Sequence, residues 1–152
     1  NFTSSDKAKS IAQSMYTKKA AIIFHAAGGA GDGLFQEAKA INQTRPAKDK
    51  VWVIGVDVDQ SHLGNYTAKG GQKSNFVLTS VITGVNVAVK DIANRAYNNK
   101  FPGGKNLVYG LKNNGVSIER GQISASTWKD AQIARANILK GKIKVAIHPN
   151  NK

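Results

Sequence analysis

Two short segments of this chain combine the residue types with which a protein handles a ligand. The first is Gly28-Gly29-Ala30-Gly31-Asp32-Gly33. Glycines between a strand and a helix let backbone N–H groups come close to a ligand, and a helix amino terminus favours electron-rich atoms. The run does not make a dinucleotide fingerprint. Gly29-x-Gly31 needs glycine or alanine at 34, where Leu34 stands, and Gly31-x-Gly33 needs it at 36, where Gln36 stands. No Gly-Lys-Ser/Thr follows, so a phosphate-cradling loop is excluded as well. Two readings stay open for Gly28, Gly29, Gly31 and Gly33: a tight strand-to-helix turn, or close approach by an uncharged ligand. Phe35, just inside the following helix, is either core or a flat face for stacking on a planar ring.

The second segment is Gly55-Val56-Asp57-Val58-Asp59-Gln60. A carboxylate at the carboxyl end of a strand is an oriented acceptor for vicinal hydroxyls. Paired acids can also perform acid–base work or hold a metal. Asp57 is expected to face a ligand, and Asp59 to serve as a loop or capping residue. Histidine adds little: His25 reads as a packed, hydrogen-bonded strand residue, and His62 and His148 as loop residues. No Ser-His-Asp order, His-x-x-x-His pair or nucleophile elbow is present, so no catalytic residue, metal ligand set or cofactor is assigned.

The elements that must position these segments follow from hydrophobic spacing. Ala8, Ile11, Ala12 and Met15 predict an amphipathic helix over 4–16. Residues 20–27 and 51–56 predict strands buried on both faces. Helices are expected over 34–41, 81–98 and 127–139, a short strand over 76–79, and a polar loop from the second acidic segment to Asn75. Extended segments are expected over 106–111 and 116–119, and a final strand over 143–147. Strands alternating with helices predict an α/β fold with a doubly wound, mostly parallel sheet. Ligands of such sheets sit beyond the carboxyl ends of the strands, which is where both segments fall. The rhythm breaks near 112, so we expect a ligand-binding lobe over 1–111 and a crossover with a carboxyl-terminal helix and strand over 112–152.

Bulk properties narrow the class. The chain has 152 residues, 22 Lys and Arg against 9 Asp and Glu, and no cysteine. Disulfides, thiolate metal sites and cysteine nucleophiles are thereby excluded. Basic residues are spread along the chain, and arginine occurs only at Arg45, Arg95, Arg120 and Arg135, which argues against nucleic acid as partner.

The runs IIFHAAGGAGDGLFQEAK, VWVIGVDVDQ and NFVLTSVITGVNVAVKDI, followed by FPGGKNLVYGLKNNGVSI and GKIKV, resemble the basic membrane protein (Bmp, PnrA-like) family. These are substrate-binding lipoproteins of ABC-type nucleoside importers. The resemblance implies one lobe, the second, of a type I periplasmic-binding-protein fold. It implies a non-catalytic protein that holds a purine or pyrimidine nucleoside between two lobes and delivers it to a permease. By position, Phe35 matches the aromatic that stacks on the base, Asp57 the acid that accepts from the ribose hydroxyls, and Gly28, Gly29, Gly31 and Gly33 the loop lining the cleft. Where many members carry a lysine in the pattern LTS-x-x-K, this chain has Thr83, and the aspartate that follows is replaced by Asn86.

A first lobe, a signal peptide and a lipid-bearing cysteine are expected upstream of Asn1, anchoring the protein to the outer face of the cell membrane. A homodimer through the lobe interface is a further expectation. Two other classes compete: a surface protein that uses its basic charge to hold anionic wall or host polymers, and a nucleotide-dependent oxidoreductase with Asp57 on a ribose.

Overall fold

The computed structural model describes residues 2–146. They divide into two compact units, 2–83 with Ser117–Gln122, and Gly84–Val116 with 123–146.

The first unit is built on a mostly parallel sheet. Strands β1 (Ile22–Phe24), β2 (Trp52–Asp57), β5 (Val77–Thr83) and β6 (Val116–Ile118) lie in the order β1-β2-β5-β6. β1 pairs with β2 and β2 with β5 in parallel, Ile23 beside Val53 and Asp57 beside Ile82. Past β6 the chain runs against β5, Glu119 N–H donating to Ser80 O and Gln122 N–H to Leu78 O. Helices α1 (Ser5–Thr17) and α2 (Asp32–Gln43) supply the cover. Their residues Ala12, Tyr16, Leu34, Phe35 and Ala38 form one core with Ile23, Val53, Phe76 and Val77. The Tyr16 hydroxyl donates to Trp52 O at 3.1 Å. The fully buried Asn42 amide accepts from Val51 N–H at 2.8 Å and donates to Val51 O at 2.9 Å, stapling the end of α2 to the start of β2.

Several expectations are corrected here. The first strand is three residues rather than eight, and it is not buried on both faces. Ile22 and Phe24 stay 47% and 50% exposed, because β1 is an edge strand and the core lies on the Ile23 side. β2 alternates between buried and half-buried positions for the same reason. The polar loop before Asn75 contains an antiparallel hairpin, β3 (Asn65–Thr67) with β4 (Lys73–Asn75), which turns Tyr66 onto Phe76 at 5.7 Å between ring centroids. The strand expected over 76–79 runs on to Thr83, taking the residues that were assigned to the start of the next helix. Trp52 lies under the Lys50 ammonium, 4.2 Å from the ring centroid.

The second unit holds α3 (Val85–Tyr97) and α4 (Ala125–Leu139), with Trp128 in the first turns of α4. The Ser124 hydroxyl accepts from Thr127 N–H and caps α4, as its Ser-x-x-Thr spacing favours. Arg135 donates to Leu111 O and Asn114 Oδ1 at 3.3 and 3.4 Å. Residues 106–110 are irregular rather than extended, as are 143–146. Ile147 and His148 lie outside the described residues.

Candidate functional site

The carboxyl ends of β2 and β5 bring Asp57 and Thr83 together. The Thr83 hydroxyl donates to Asp57 Oδ1 at 2.9 Å, and both side chains are exposed. Sequence spacing of 26 residues becomes direct contact because the strands are parallel neighbours. That hydrogen bond occupies one carboxylate oxygen and orients the other. It also leaves the threonine oxygen with lone pairs to offer. The pair is therefore an acceptor site, suited to a ligand that brings hydroxyl or amino donors.

Asp57 sits in an unusual backbone conformation. Its φ is +69°, and Val58 N–H donates to Val56 O at 2.8 Å across it, closing a three-residue γ-turn. A non-glycine residue held there costs about 1–3 kcal/mol and persists only where its surroundings over-determine it. Asp59, expected as a loop or capping residue, is a loop residue, its carboxylate accepting from Ser61 N–H at 2.9 Å and from the Ser61 hydroxyl at 3.0 Å. That interaction starts the 3-10 turn Ser61–Gly64, which holds His62.

The glycine run divides into two functions. Gly28, at φ +52°, and Gly29 open the 3-10 turn Gly28–Gly31, and a side chain at either would meet only Phe2 at van der Waals distance. Gly31 and Gly33 are buried against protein. A Cβ at Gly31 would collide with the His25 imidazole, and one at Gly33 with the backbone of α1 at Ser5 and Lys9. Close approach is real at both positions, but what approaches is the fold itself.

Phe35 packs in the core with one margin on the surface. It is 6% exposed, with His25 edge-on at 5.5 Å and Phe76 tilted at 6.3 Å. The ring contributes to a concavity of about 300 Å³ with Asp32, Gln36, Lys39 and Leu63, so only its margin reaches solvent.

His25 is packed and hydrogen-bonded, as read from the strand. Nε2 lies 3.2 Å from Gln60 Oε1, while Nδ1 is buried with no hydrogen-bond partner. Burial holds its pKa below the ordinary value, against the opposing pull of the Gln60 hydrogen bond and of Asp32 and Asp57. Gln60 was not singled out by sequence. Its partners Val56, His25 and Ser80 are up to 35 residues away, and no local spacing announces them. Among the described residues no group of three or more His, Cys, Asp or Glu is placed to hold a metal ion.

A family model described as ABC transporter substrate-binding protein PnrA-like (Bmp) matches residues 1–149. An ABC transporter nucleoside-binding protein BmpA from Lactococcus lactis is 44% identical, the alignment covering 95% of this chain and 41% of that protein. A CD4+ T-cell-stimulating antigen from Listeria monocytogenes is 42% identical over 98% of this chain and 42% of its own length. The chain thus spans about two-fifths of the curated relatives it matches. Among solved structures, one titled as a transcriptional activator of the comK gene from Bacillus halodurans superposes with a TM-score of 0.73 at 20% identity, covering 96% of this chain and 46% of that one. A solute-binding protein of an ABC transporter system from Aeropyrum pernix gives 0.68 at 19%, covering 95% and 45%. At these identities the likeness shows the fold, that of ABC solute-binding proteins.

Proposed function

The chain belongs to the PnrA-like substrate-binding proteins of ABC transporters, and from that premise we propose that it grips one side of a nucleoside without transforming it. The observation that carries this reading is the exposed Asp57 carboxylate at the end of β2, oriented by Thr83. A ribose presents two adjacent hydroxyl donors, which match an acceptor pair, whereas a phosphate or carboxylate ligand would meet repulsion. Charge-assisted hydrogen bonds of this kind contribute about 1.5–3 kcal/mol each. The base would rest over the concavity of Asp32, Gln36, Lys39 and Leu63, with Phe35 as its floor. Its stacking contribution falls below the roughly 1–3 kcal/mol of a fully presented aromatic, because the ring is mostly enclosed.

On this reading the rest of the polypeptide supplies the opposing lobe, closure about a hinge traps the ligand, and a permease receives it at the outer face of the membrane, where a lipid anchor holds the receptor. The natural polypeptide carrying these residues should release heat on titration with at least one of adenosine, guanosine, inosine, uridine or cytidine. Asp57→Ala should weaken that binding by about 10- to 150-fold, the equivalent of the hydrogen-bond contribution. Absence of heat with every nucleoside, or undiminished affinity in Asp57→Ala, would sink the assignment.

A second reading has its own observation. Lys39 and Lys73 line a concavity of about 410 Å³ with Gln43, Asn65, Tyr66, Thr67 and Ser74, and no acid is among them. Such a surface suits sulfate or phosphate groups of an anionic polymer, and salt-dependent retention on heparin that Lys39→Gln with Lys73→Gln abolishes is the outcome that would support it.

A further inference from the structure

The γ-turn that presents Asp57 is held from behind by residues that do not themselves face the ligand end. Gln60 Oε1 accepts from Val56 N–H at 2.9 Å, one residue before Asp57, and the same oxygen faces His25 Nε2 at 3.2 Å. An oxygen that already accepts one N–H makes the imidazole nitrogen a donor as well. Nε2 therefore carries the His25 proton, and the buried, unpartnered Nδ1 carries the lone pair. The Val56 N–H fixes the amide, because a flipped Gln60 would set its NH2 group against that donor. Gln60 N–H in turn donates at 3.1 Å to the hydroxyl of Ser80, which is fully buried on β5. Gly55 completes the seat, since a Cβ there would lie 2.6 Å from Ser80 Oγ and 2.8 Å from Gln60 Oε1.

We propose that Gln60, supported by His25 and Ser80, is a positioning residue that sets the direction of the Asp57 carboxylate. One amide oxygen ties His25, one residue past β1, to the N–H of Val56, the first residue of the γ-turn, and the Gln60 backbone ties the segment after that turn to β5. The left-handed backbone at Asp57 is bracketed on both sides, so the carboxylate is presented in one direction before any ligand arrives. This inference rests on the nucleoside reading only for what the carboxylate meets. The lock itself is a property of the ligand-free protein.

Two measurements on the natural polypeptide and its Gln60→Ala variant separate those parts. The first is amide hydrogen exchange at Val58, whose N–H closes the γ-turn. It should accelerate by about tenfold or more in Gln60→Ala, while Val53, fully buried in the core, keeps its protection and shows that the fold persists. Unchanged exchange at Val58 would overturn the proposal whatever the ligand does. The second compares a ribonucleoside with its 2′,3′-dideoxy analogue. Gln60→Ala should weaken the ribonucleoside by about tenfold and leave the analogue unaltered, and it should add no loss in an Asp57→Ala background.

Equal weakening of both compounds would mark a general structural role and overturn the positioning role. Faster Val58 exchange with no binding of any nucleoside would uphold the lock and remove the nucleoside reading alone. His25→Ala keeps the Val56 bond, so it should show the same pattern at smaller amplitude and serves if Gln60→Ala does not fold.

Discussion

The two units of this chain carry helices of similar length and come out differently. Both contain helices of 12–15 residues with apolar residues in helical phase. Yet every buried apolar side chain of the described core lies between Ala12 and Val77, in the first unit. On α3, Val85 and Val89 are each 62% exposed, and neither α3 nor α4 buries a residue. An isolated helix of this length is marginal in water, since tertiary packing supplies most helical stability. The comparison teaches that an apolar stripe specifies a helix without specifying what it packs on. Positive-φ backbone occurs in both, at Asp57 in the first unit and at Asn99 and Asn114 in the second, but only Asp57 is a residue other than asparagine set on the end of a packed strand.

The contrast can be tested by perturbing each unit in turn. Phe76→Ala removes a fully buried ring that touches both Tyr66 and Phe35. It should cost about 3–5 kcal/mol in denaturant unfolding. Gly33→Ala drives a methyl into the backbone of α1 and should cost about 1–3 kcal/mol by the same assay. A third test uses pH. Burial lowers the His25 pKa in the folded state, so the unfolded chain takes up a proton first as pH falls. Stability is then full above the ordinary histidine value of about 6.5 and declines as pH drops below it. Thermal unfolding between about pH 7 and 5 should show that decline, and His25→Asn should flatten it. Smallest of all, Val89→Ala on α3 should alter stability by less than about 0.5 kcal/mol. A loss there as large as at Phe76 would mean that the second unit has a core of its own.

What sequence could foresee follows the range of the interactions involved. The helix over 4–16 was legible because its spacing is local, although the side chains that pack are Ala12 and Tyr16 rather than the whole Ile11–Met15 stripe. The exposed place of Asp57 at the end of β2 was legible because the residue closes an apolar run. The packing of Gly31 and Gly33 was not legible because their neighbours, His25 and α1, become neighbours only on folding. The start of α3 was set too early because Val81 and Val85 are in helical phase, whereas pairing with β2 claims residues up to Thr83. The hairpin over 65–75 was missed because each strand is three residues long and turns a single side chain, Tyr66, into the core. The enclosure of Phe35 was not legible because it depends on His25 and Phe76, which reach it only through the fold.

The chain has two tryptophans, Trp52 in β2 and Trp128 in α4. Each compact unit therefore contains its own fluorophore, and the one in the first unit sits beneath the Lys50 ammonium. Replacing either indole with phenylalanine leaves emission from the other unit alone. The melting of the cored and the coreless halves can then be followed separately by light, without any added label.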